Sequence, residues 1–478
     1  MTDPASAARP AARPAPRVEI SDRGFEVSVP VAIVGGGAAG LVAALTLRGA
    51  GVEALVLERD AVPRGSTALS AGLIPAPGTR WQAEAGVEDD APRFVADILK
   101  KAHDEPDPAL AARMAETVGP TLEWLADAHG LPFSLVDNFA YPGHSALRMH
   151  GLPTRSGEEL IDRLARAAEA AGVEILAGAQ VDTLFAGPDG TVRGIGFARP
   201  DGGREEVGCD ALILACNGYG GNPAKVAALI PSLRDALYFG HPGNMGEALD
   251  WGEALGAATR HLGGHQGHGS VAHPEGVLIT WATVMEGGFQ VDLTGARFSD
   301  ESAGYSEQAA KVLAQPDGLA WTIFDDRIAG IARQFEDSRR AEAMGAIRGG
   351  EDVAALAAAI RVPEARLRAT LDTVEAAKRG AAPDPFGRDL RGAPALAAPY
   401  RAVRVTGALF HTQGGLVVDG EARVLRASGE AFGNLYAAGG AACGVSGAGA
   451  EGYLSGNGLL SAVALGRVAG LAAAKGAA

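Results

Sequence analysis

The clearest hydrophobic pattern near the start of the chain is an apolar run, a glycine turn, a helical stretch and a second apolar run. The segment VPVAIV (29–34) is continuously apolar and rich in β-branched residues, which is typical of a strand buried on both faces. The segment AAGLVAALTLRGA (38–50) has the composition of a helix, and GVEALVLE (51–58) indicates another buried strand. Together they predict a βαβ unit, and hence an α/β protein with a doubly wound, Rossmann-like domain.

Later segments predict that a second domain interrupts the first. Helical patterns fill much of 84–131, and further helix and strand patterns follow in GEELIDRLARAAEAAGVEILAG and DALILACNGYGG. The region 240–399 differs, with three tryptophans, several histidines and Ala-rich helices, so we interpret it as an inserted α+β cap domain. A small hairpin in GGLVVDGEARVLRASG, a strand in NLYAAGG and a final helix then return to the first domain. We predict a disordered tail over 1–24 and a nucleotide-binding domain over 25–239 and 400–478.

Composition and charge narrow the range of functions. The 478 residues carry a formal net charge of −15, which disfavours nucleic acid and anionic membrane surfaces as partners. Cys209, Cys216 and Cys443 form neither a disulfide framework nor a CxxC or CxxCH motif, which fits a reducing, cytoplasmic compartment. The N-terminus lacks the apolar run of a secretory signal, and no window holds the roughly 20 uncharged apolar residues of a membrane span. We therefore expect a globular protein without a membrane span, and a homo-oligomer stays open.

A dinucleotide-binding motif lies at the junction of the first strand and helix. Gly35, Gly37 and Gly40 form G-x-G-x-x-G, and Glu58 ends the next strand. The first glycine permits a tight turn, the second lets the backbone approach a pyrophosphate, and the third packs the helix on the strand. The carboxylate of Glu58 is placed to accept hydrogen bonds from ribose hydroxyls. This pattern predicts a bound dinucleotide.

A run of small and hydroxyl residues follows the second strand, in RDAVPRGSTALSAGLIP. Gly65, Ser66, Thr67, Ser70 and Gly72 match a run in the flavoprotein family of fumarate reductases, succinate dehydrogenases and 3-ketosteroid dehydrogenases, which this chain resembles. In that family the run passes the phosphates and ring of FAD. The membrane-bound succinate dehydrogenases carry a histidine here for covalent attachment, and this sequence has none. The resemblance therefore implies FAD, held non-covalently.

The resemblance covers nearly the whole chain. ILACNGYGGN, GARFSDESAGYSEQA, HTQGGLVVD and LYAAGGAACGVSGAGAEGYLSGNGLL look like motifs of this family, and VPEARLRATLDTVEAAKRGAAPDPFGR resembles the cap of its ketosteroid-oxidising branch. One departure is Gly440, where many relatives have a Glu or Asn that contacts FAD. The cofactor-binding residues implied by the motifs and the resemblance are Gly35, Gly37, Ala38, Ala39, Gly40, Glu58, Arg59, Gly65, Ser66, Thr67, Ser70, Ala71, Gly72, Val181, Gly218, Gly439, Gly456, Asn457, Gly458 and Leu459.

Two tyrosines stand where the resemblance places the arginines of fumarate reductases. Tyr305, in RFSDESAGY, takes the position of the arginine that donates a proton, and Tyr453, in YLSGN, takes that of the arginine that clamps a carboxylate. A phenol offers one hydroxyl in place of a bidentate fork, so the site does not look built for a dicarboxylate. Tyr453 and Ser455 are similar to the Δ4-(5α) branch of ketosteroid dehydrogenases, whereas His411 is the fumarate-reductase residue. We predict catalytic or substrate-contact roles for these four residues, and the alternative is that they only pack.

The resulting hypothesis is an FAD-dependent dehydrogenase acting on CH–CH groups. It would introduce a C=C bond beside the carbonyl of a cyclic ketone, 3-ketosteroid-like or smaller, by abstraction of the α-proton and hydride transfer to flavin N5. One alternative is a fumarate-reductase-like ene-reductase acting on an unsaturated acid or enone, and another is a non-catalytic flavin-binding protein. The substrate, the direction of the reaction and the external electron acceptor stay open.

Two histidine-containing segments have no settled role. RHLGGHQGHGSVAHP runs from His261 to His273, but no cysteine or clear carboxylate joins its four histidines, so we predict no metal site and leave structural and substrate-lining roles open. HSALRMHG, which contains His144, either borders the active site or packs the first domain. Just before it, Phe139 and Tyr141 are candidates for lining an apolar pocket.

Overall fold

The computed structural model describes residues 15–137 and 141–477, and most of its strands fall into two sheets. The strands, in chain order, are β1 (Arg17–Ile20), β2 (Ser28–Val34), β3 (Ala54–Glu58), β4 (Ile74–Pro75), β5 (Ser134–Leu135), β6 (Met149–Gly151), β7 (Glu174–Ala177), β8 (Gln180–Ala186), β9 (Val192–Ala198), β10 (Arg204–Leu214), β11 (Leu237–Tyr238), β12 (Thr259–Arg260), β13 (His265–Ala272), β14 (Val277–Leu278), β15 (Phe289–Val291), β16 (Leu319–Asp325), β17 (Ile347–Gly350), β18 (Tyr400–Thr412), β19 (Gly415–Leu416), β20 (Arg423–Leu425) and β21 (Ala431–Ala437).

The helices are mostly short and alternate with these strands. In chain order they are α1 (Ala38–Gly49), α2 (Gly65–Ala68), α3 (Arg80–Glu84), α4 (Ala91–Lys101), α5 (Pro108–His129), α6 (Gly157–Ala170), α7 (Pro223–Leu229), α8 (Glu247–Ala254), α9 (Ala282–Met285), α10 (Tyr305–Leu313), α11 (Asp326–Ala332), α12 (Glu336–Ala343), α13 (Val353–Ile360), α14 (Glu364–Lys378) and α15 (Asn457–Ala477).

The larger sheet confirms the doubly wound domain. Its strand order is β1-β8-β9-β10-β2-β3-β7, with β21 beside β10 and β20 beside β21. The pairs β10–β2, β2–β3, β3–β7 and β10–β21 are parallel, which is what crossover connections through helices produce. The predicted βαβ unit is β2, α1 and β3.

Helix α1 packs against α15 in the core of this domain. Residues 38–47 of α1 are all buried, because a helix that is apolar on every side has to be enclosed. Helix α15 is apolar as well. By length and composition it is the one helix of the described residues that could cross a membrane, yet 67% of the residues in its most apolar window are buried inside the protein. The structure therefore places α15 as a core helix of the first domain.

The second sheet belongs to the predicted cap and is built around the long strand β18. Its order is β14-β13-β18-β16-β15, and β11 and β17 also pair with β18. Phe289, Ile323 and Val403 are among the residues of a separate apolar core beneath this sheet, which contains α13 and α14 as well. The cap is thus an α+β unit with a core of its own.

The structure differs from the predicted organisation at two places. Residues 17–20 are not part of a disordered tail but form β1, because Val18 packs on the core and the strand pairs with β8. Residues 1–14 lie outside the described residues. Strand β18 starts at 400 and belongs to the second sheet, so the cap extends past the predicted boundary at 399. The predicted hairpin after residue 414 is present but short, with an antiparallel bridge between Val418 and Val424 and hydrogen bonds from Asp419 N–H to Arg423 and from Leu425 N–H to Val417. Its second strand, β20, also pairs with β21 of the first sheet.

Candidate active site

A cavity of about 750 Å³ is lined by residues of both domains. One part of it, which we call the glycine end, is lined by Gly35, Gly37, Ala38, Glu58 and Thr67. The other part, which we call the aromatic end, is lined by His268, Tyr305, His411, Tyr453 and Ser455.

The glycine end has the shape that a dinucleotide requires. Gly35 has a φ of +108°, and a side chain there would meet the Ala215 carbonyl oxygen at 2.5 Å. A Cβ on Gly40 would approach the Gly35 carbonyl oxygen at 1.9 Å, so helix and strand can pack only around glycine. A Cβ on Gly37 would instead meet only Thr67 Oγ1, at 3.6 Å. The space beside Gly37 is therefore open to a ligand, at the N-terminus of α1.

The hydroxyl-rich run lies directly against this helix N-terminus. Thr67 Oγ1 accepts a hydrogen bond from the Ala38 backbone N–H at 3.1 Å. Ser66 Oγ accepts from the backbone N–H of His241 and from the Asn244 side chain, which connects the run to the beginning of the cap. Hydroxyls and backbone N–H groups at a helix N-terminus are the donors that phosphates bind, so these residues fit the pyrophosphate of FAD.

The acidic residue at the end of β3 is also placed as predicted. Glu58 is buried, and its two carboxylate oxygens accept hydrogen bonds from the backbone N–H groups of Gly36 at 2.8 Å and Asp60 at 2.9 Å. Each oxygen retains a lone pair that fits a ribose hydroxyl. Arg59 donates to the Gly243 carbonyl oxygen at 2.6 Å and also contacts His241. Arg59 thereby connects the glycine end to the cap.

Most of the predicted cofactor residues line the cavity, but four of them lie behind its wall. Those that line it are Gly35, Gly37, Ala38, Ala39, Glu58, Arg59, Gly65, Ser66, Thr67, Ser70, Ala71, Val181, Gly439, Gly456, Gly458 and Leu459. Gly40 packs on Gly35, Gly72 on Ser156, and Gly218 on Thr412, each too close for a side chain. Asn457 is fully buried and donates to Ser446 Oγ at 2.9 Å. These four residues support the wall.

The structure accounts for the departure at Gly440. Gly440 lines the cavity, and a Cβ there would meet the Asn217 side-chain oxygen at 2.2 Å. Asn217 also lines the cavity, and its side-chain oxygen accepts from the Gly218 N–H at 2.8 Å. The Asn217 amide therefore occupies the space next to Gly440 that a larger side chain would need.

The aromatic end brings together the four side chains that the sequence selected. Tyr305 begins α10 in the cap, whereas Tyr453 and Ser455 lie in the segment before α15. The Tyr305 hydroxyl and Ser455 Oγ are 2.9 Å apart and share a hydrogen bond. The Tyr453 ring lies 6.3 Å from the Tyr305 ring and 5.5 Å from the His411 ring, centroid to centroid. The two domains meet at this point.

Burial keeps both phenols protonated. Desolvation raises the pKa of Tyr305 well above its usual value, and neighbouring Tyr453 adds to the rise while the Ser455 hydrogen bond opposes it. Desolvation likewise raises the pKa of Tyr453, against a lowering contribution from the backbone N–H groups of Gly458 and Gly456. At neutral pH the aromatic end therefore presents phenol hydroxyls as hydrogen-bond donors.

A buried chain of amides and hydroxyls sets the tautomer of His411. Asn457 donates to Ser446 Oγ, which donates at 2.8 Å to the side-chain oxygen of Gln413. The Gln413 amide then donates to His411 Nδ1 at 2.9 Å, and the Thr412 carbonyl, 3.5 Å from the same nitrogen, is too distant to compete. Burial lowers the pKa of His411 to about 4, so the ring is neutral and carries its proton on Nε2. His411 is thus a neutral donor, which motif reasoning alone did not establish.

Aromatic residues that sequence reasoning left unassigned complete this end of the cavity. The His268 ring stacks on Tyr305 at 5.0 Å and lies 5.7 Å from Trp281 and 5.6 Å from Phe410. Burial lowers the pKa of His268 to about 3, so it is neutral. Phe239 stacks on Phe410 at 5.0 Å and also lines the cavity. The result is an aromatic wall, with some rings stacked and others edge to face, that surrounds a few neutral polar groups.

The histidine-rich segment proves to be divided between different environments. His268 lines the cavity, whereas His261, His265 and His273 do not. Within 15–137 and 141–477, no group of three or more His, Cys, Asp or Glu side chains could hold a metal ion. Tyr141 lines the cavity as predicted, and Phe139 lies outside the described residues.

Comparisons with known proteins agree with this geometry. A probable fumarate reductase of Shewanella frigidimarina is 28% identical over 449 residues, which cover 93% of this chain and 74% of the relative. The open conformation of a flavocytochrome c3 fumarate reductase superposes with a TM-score of 0.81 at 28% identity, over 95% of this chain and 79% of the other. The 3-ketosteroid-Δ4-(5α)-dehydrogenase of Rhodococcus jostii in complex with 4-androstene-3,17-dione shares the fold, with a TM-score of 0.76 at 24% identity over 96% and 99% of the two chains.

These findings define an enzyme class and then a family. The protein is an FAD-dependent oxidoreductase that acts on CH–CH groups. The family model described as the FAD binding domain matches residues 30–459, and the chain belongs to this family. FAD is its cofactor, and the glycine end described above is where the residues fit it.

Proposed function

We propose that this enzyme introduces a C=C bond beside the carbonyl of a cyclic ketone, 3-ketosteroid-like or smaller. The observation that carries the proposal is the hydrogen-bonded pair of Tyr305 and Ser455 facing Tyr453 inside an aromatic wall. Within the described residues, no hydrogen bond or ring contact of these three side chains involves an arginine or a lysine. These three side chains therefore offer no cation to grip a carboxylate, and they favour a neutral substrate. The cavity as a whole is also lined by Arg59, Arg155, Arg339 and Arg340.

Removal of the α-proton requires hydrogen-bond donors to the carbonyl oxygen and a separate proton acceptor. Tyr453 is protonated, and its oxygen accepts hydrogen bonds from the backbone N–H groups of Gly456 and Gly458. These bonds make the phenol proton a better hydrogen-bond donor to a carbonyl oxygen. His411, with its proton on Nε2, is a second neutral donor on the same side of the cavity. Both donors become more favourable as negative charge grows on the carbonyl oxygen during proton removal.

The Tyr305–Ser455 pair is the proton acceptor in this proposal. The two hydroxyls are 2.9 Å apart, so a proton accepted by one oxygen can be passed on to the other. When bound, FAD supplies the two-electron acceptor for the hydride of the β-carbon. Since burial raises the pKa of Tyr305, the accepting form is scarce at neutral pH, and we expect the oxidation rate to increase with pH.

The second candidate is an ene-reductase, and one observation favours it. Both phenols carry their proton at neutral pH, so each has a proton available for the α-carbon of an enone or an unsaturated acid. The same groups serve either direction, so a change of pH should alter the two rates in opposite ways. Oxidation should accelerate as the pH rises, and reduction should slow.

Anaerobic mixing of the FAD-loaded protein with a panel of compounds tests the proposal. The panel contains 3-ketosteroids, cyclohexanones and dicarboxylates, and the readout is loss of the visible absorbance of the flavin. We expect ketones to reduce the flavin and succinate to leave it oxidised. Reduction by succinate alone, or rapid reoxidation of the chemically reduced enzyme by fumarate but not by an enone, would contradict the ketone assignment.

A further inference from the structure

A buried ionic cluster lies behind the aromatic end, outside the cavity. Arg148 is fully buried, and its guanidinium donates to both carboxylate oxygens of Asp89, at 2.9 and 2.8 Å, and also to Asp97. Its carbon atom Cζ lies 4.6 Å from the centre of the Phe94 ring. An arginine enclosed by two carboxylates and an aromatic ring has little freedom to move.

This cluster reaches the active site through one histidine. Arg148 Nη1 lies 3.1 Å from His144 Nδ1, and a guanidinium can only donate, so Nδ1 accepts. The ring proton is therefore on Nε2, which donates at 2.9 Å to the backbone carbonyl of Ser455. Burial and the nearby Arg148 cation lower the pKa of His144 to about 4, so this neutral tautomer persists at neutral pH.

The segment that carries Ser455 needs such a tether. It has no regular secondary structure, and the next residue, Gly456, has a φ of +89°. Glycine-rich backbone has many accessible conformations, so a fixed contact is needed to hold one of them. The Ser455 side chain forms the 2.9 Å hydrogen bond to Tyr305 across the two domains.

We propose that His144 is a positioning residue of the reaction, which holds the Ser455 backbone so that Ser455 Oγ meets the Tyr305 phenol. Arg148, with Asp89 and Asp97, sets the tautomer of His144 that can donate to the Ser455 carbonyl. The effect on rate rests on the proposed function, whereas the effect on the Tyr305–Ser455 distance does not. His144 touches neither the cavity nor the reacting groups, so it acts only through Ser455.

Two substitutions separate the two hydrogen bonds of this histidine. His144→Asn keeps an acceptor for Arg148 but is too short to reach the Ser455 carbonyl. His144→Gln can reach that carbonyl with its amide N–H. The matched control is His150→Asn, because the pKa of His150 is likewise lowered to about 4 and its ring hydrogen-bonds to Thr79 and to the Arg148 carbonyl, not to Ser455.

We expect His144→Asn to slow the limiting rate of flavin reduction about tenfold, with a much smaller change in the dissociation constant of the ketone. His144→Gln should recover most of this rate, and His150→Asn should leave it near wild type at equal FAD content. In a Ser455→Ala background, His144→Asn should add little further slowing. A full additional tenfold loss there would mean that His144 does not act through Ser455, and would overturn the proposal.

Crystal structures of the FAD-loaded variants provide a readout that needs no substrate. The distance from the Tyr305 hydroxyl to Ser455 Oγ should exceed about 3.5 Å in His144→Asn and stay within hydrogen-bond range in His144→Gln. An unchanged distance in His144→Asn overturns the positioning role. If the distances behave as expected but no ketone reduces the wild-type flavin, the proposed function fails and the positioning role stands.

Discussion

The two ends of one cavity are built in different ways. The glycine end is formed by backbone atoms and short side chains, many of them from the continuous segment 34–72, and Thr67 contacts Ala38 only 29 positions away. The aromatic end is formed by side chains from distant segments, and its central hydrogen bond joins Tyr305 and Ser455 across 150 positions. Cofactor binding therefore depends on local backbone geometry, whereas substrate chemistry depends on how the two domains meet.

The two ends also differ in their electrostatics. Around Gly37 and Ala38 the protein presents a helix N-terminus, which suits the negative charge of a pyrophosphate. Burial keeps Tyr305, Tyr453 and His411 themselves neutral, which suits a ligand group whose charge develops only in the transition state. Substitutions at the glycine end should therefore impair FAD binding, whereas those at the aromatic end should impair the rate of flavin reduction.

The largest effect is expected at the glycine end, from Gly37→Val. The protein itself leaves space for the new side chain, with Thr67 Oγ1 as the nearest atom at 3.6 Å, but that space is where the pyrophosphate fits. Loss of two or more charge-assisted hydrogen bonds should weaken FAD binding by about 10²-fold or more while the chain still folds. Flavin absorbance of the purified protein and its circular dichroism measure the two properties.

Gly40→Val is the control for this prediction. Its Cβ would lie 1.9 Å from the Gly35 carbonyl oxygen, so it should disturb folding itself.

The wild-type protein should release its FAD on heating or in acid. Flavin that stays with the denatured chain would show that the attachment is covalent.

The next largest effect is expected at the aromatic end, from Tyr453→Phe. In the ground state one hydrogen bond to a carbonyl contributes about 0.5–1.5 kcal/mol, so binding of the ketone should weaken only modestly. This donor stabilises the negative charge that grows on the carbonyl oxygen, so its removal should slow flavin reduction about 10²–10³-fold. Rapid mixing with a ketone measures both quantities, and FAD content should stay at the wild-type level because the ring is retained. A variant that reduces its flavin at the wild-type rate would show that this phenol only packs.

A smaller effect is expected where the two domains are held together beside the aromatic end. Lys101 on α4 and Glu307 on α10 form a 2.6 Å ion pair, and burial raises the pKa of the Glu307 carboxyl. Lys101→Met would leave a partly buried carboxylate without its cation, and should lower the free energy of unfolding by about 1–3 kcal/mol. Denaturant unfolding measures this, and Glu307→Gln in the same chain should restore part of the loss. If the double variant is no more stable than Lys101→Met, the ion pair is not what holds α10.

The last effect is a pH dependence of stability that originates at the aromatic end, and for one histidine over a single pH unit it is the smallest of the four. The pKa of His268 is lowered to about 3 and that of His411 to about 4, from a usual value of 6.5. Between about pH 6.5 and 4 the unfolded chain binds protons that the folded chain does not, so stability is lost as the pH falls through this window. Each histidine contributes at most about 1.4 kcal/mol per pH unit. His268→Gln should flatten the measured slope, and an equal slope in both proteins would show that His268 is protonated when folded.

The sequence by itself determined the α/β class, the βαβ unit and FAD as the cofactor. These features depend on hydrophobic periodicity and on glycines at fixed spacings, and the reasons for Gly35, Gly37 and Gly40 are local ones that a motif can carry. The motif positions also selected Tyr305 and Tyr453, because they stand where the family resemblance expects arginines.

Only the tertiary structure decided how those residues work together. It brought the Tyr305 hydroxyl to Ser455, set the proton of His411 through Gln413, and placed Asn457 and Gly218 behind the cavity wall instead of in it. It also showed that residues 17–20 form strand β1, where the sequence predicted a tail, and that β18 belongs to the second sheet. Hydrogen bonds and burial between segments far apart in the chain leave no periodic trace in the sequence, and these long-range contacts are what set protonation states and distances at the aromatic end.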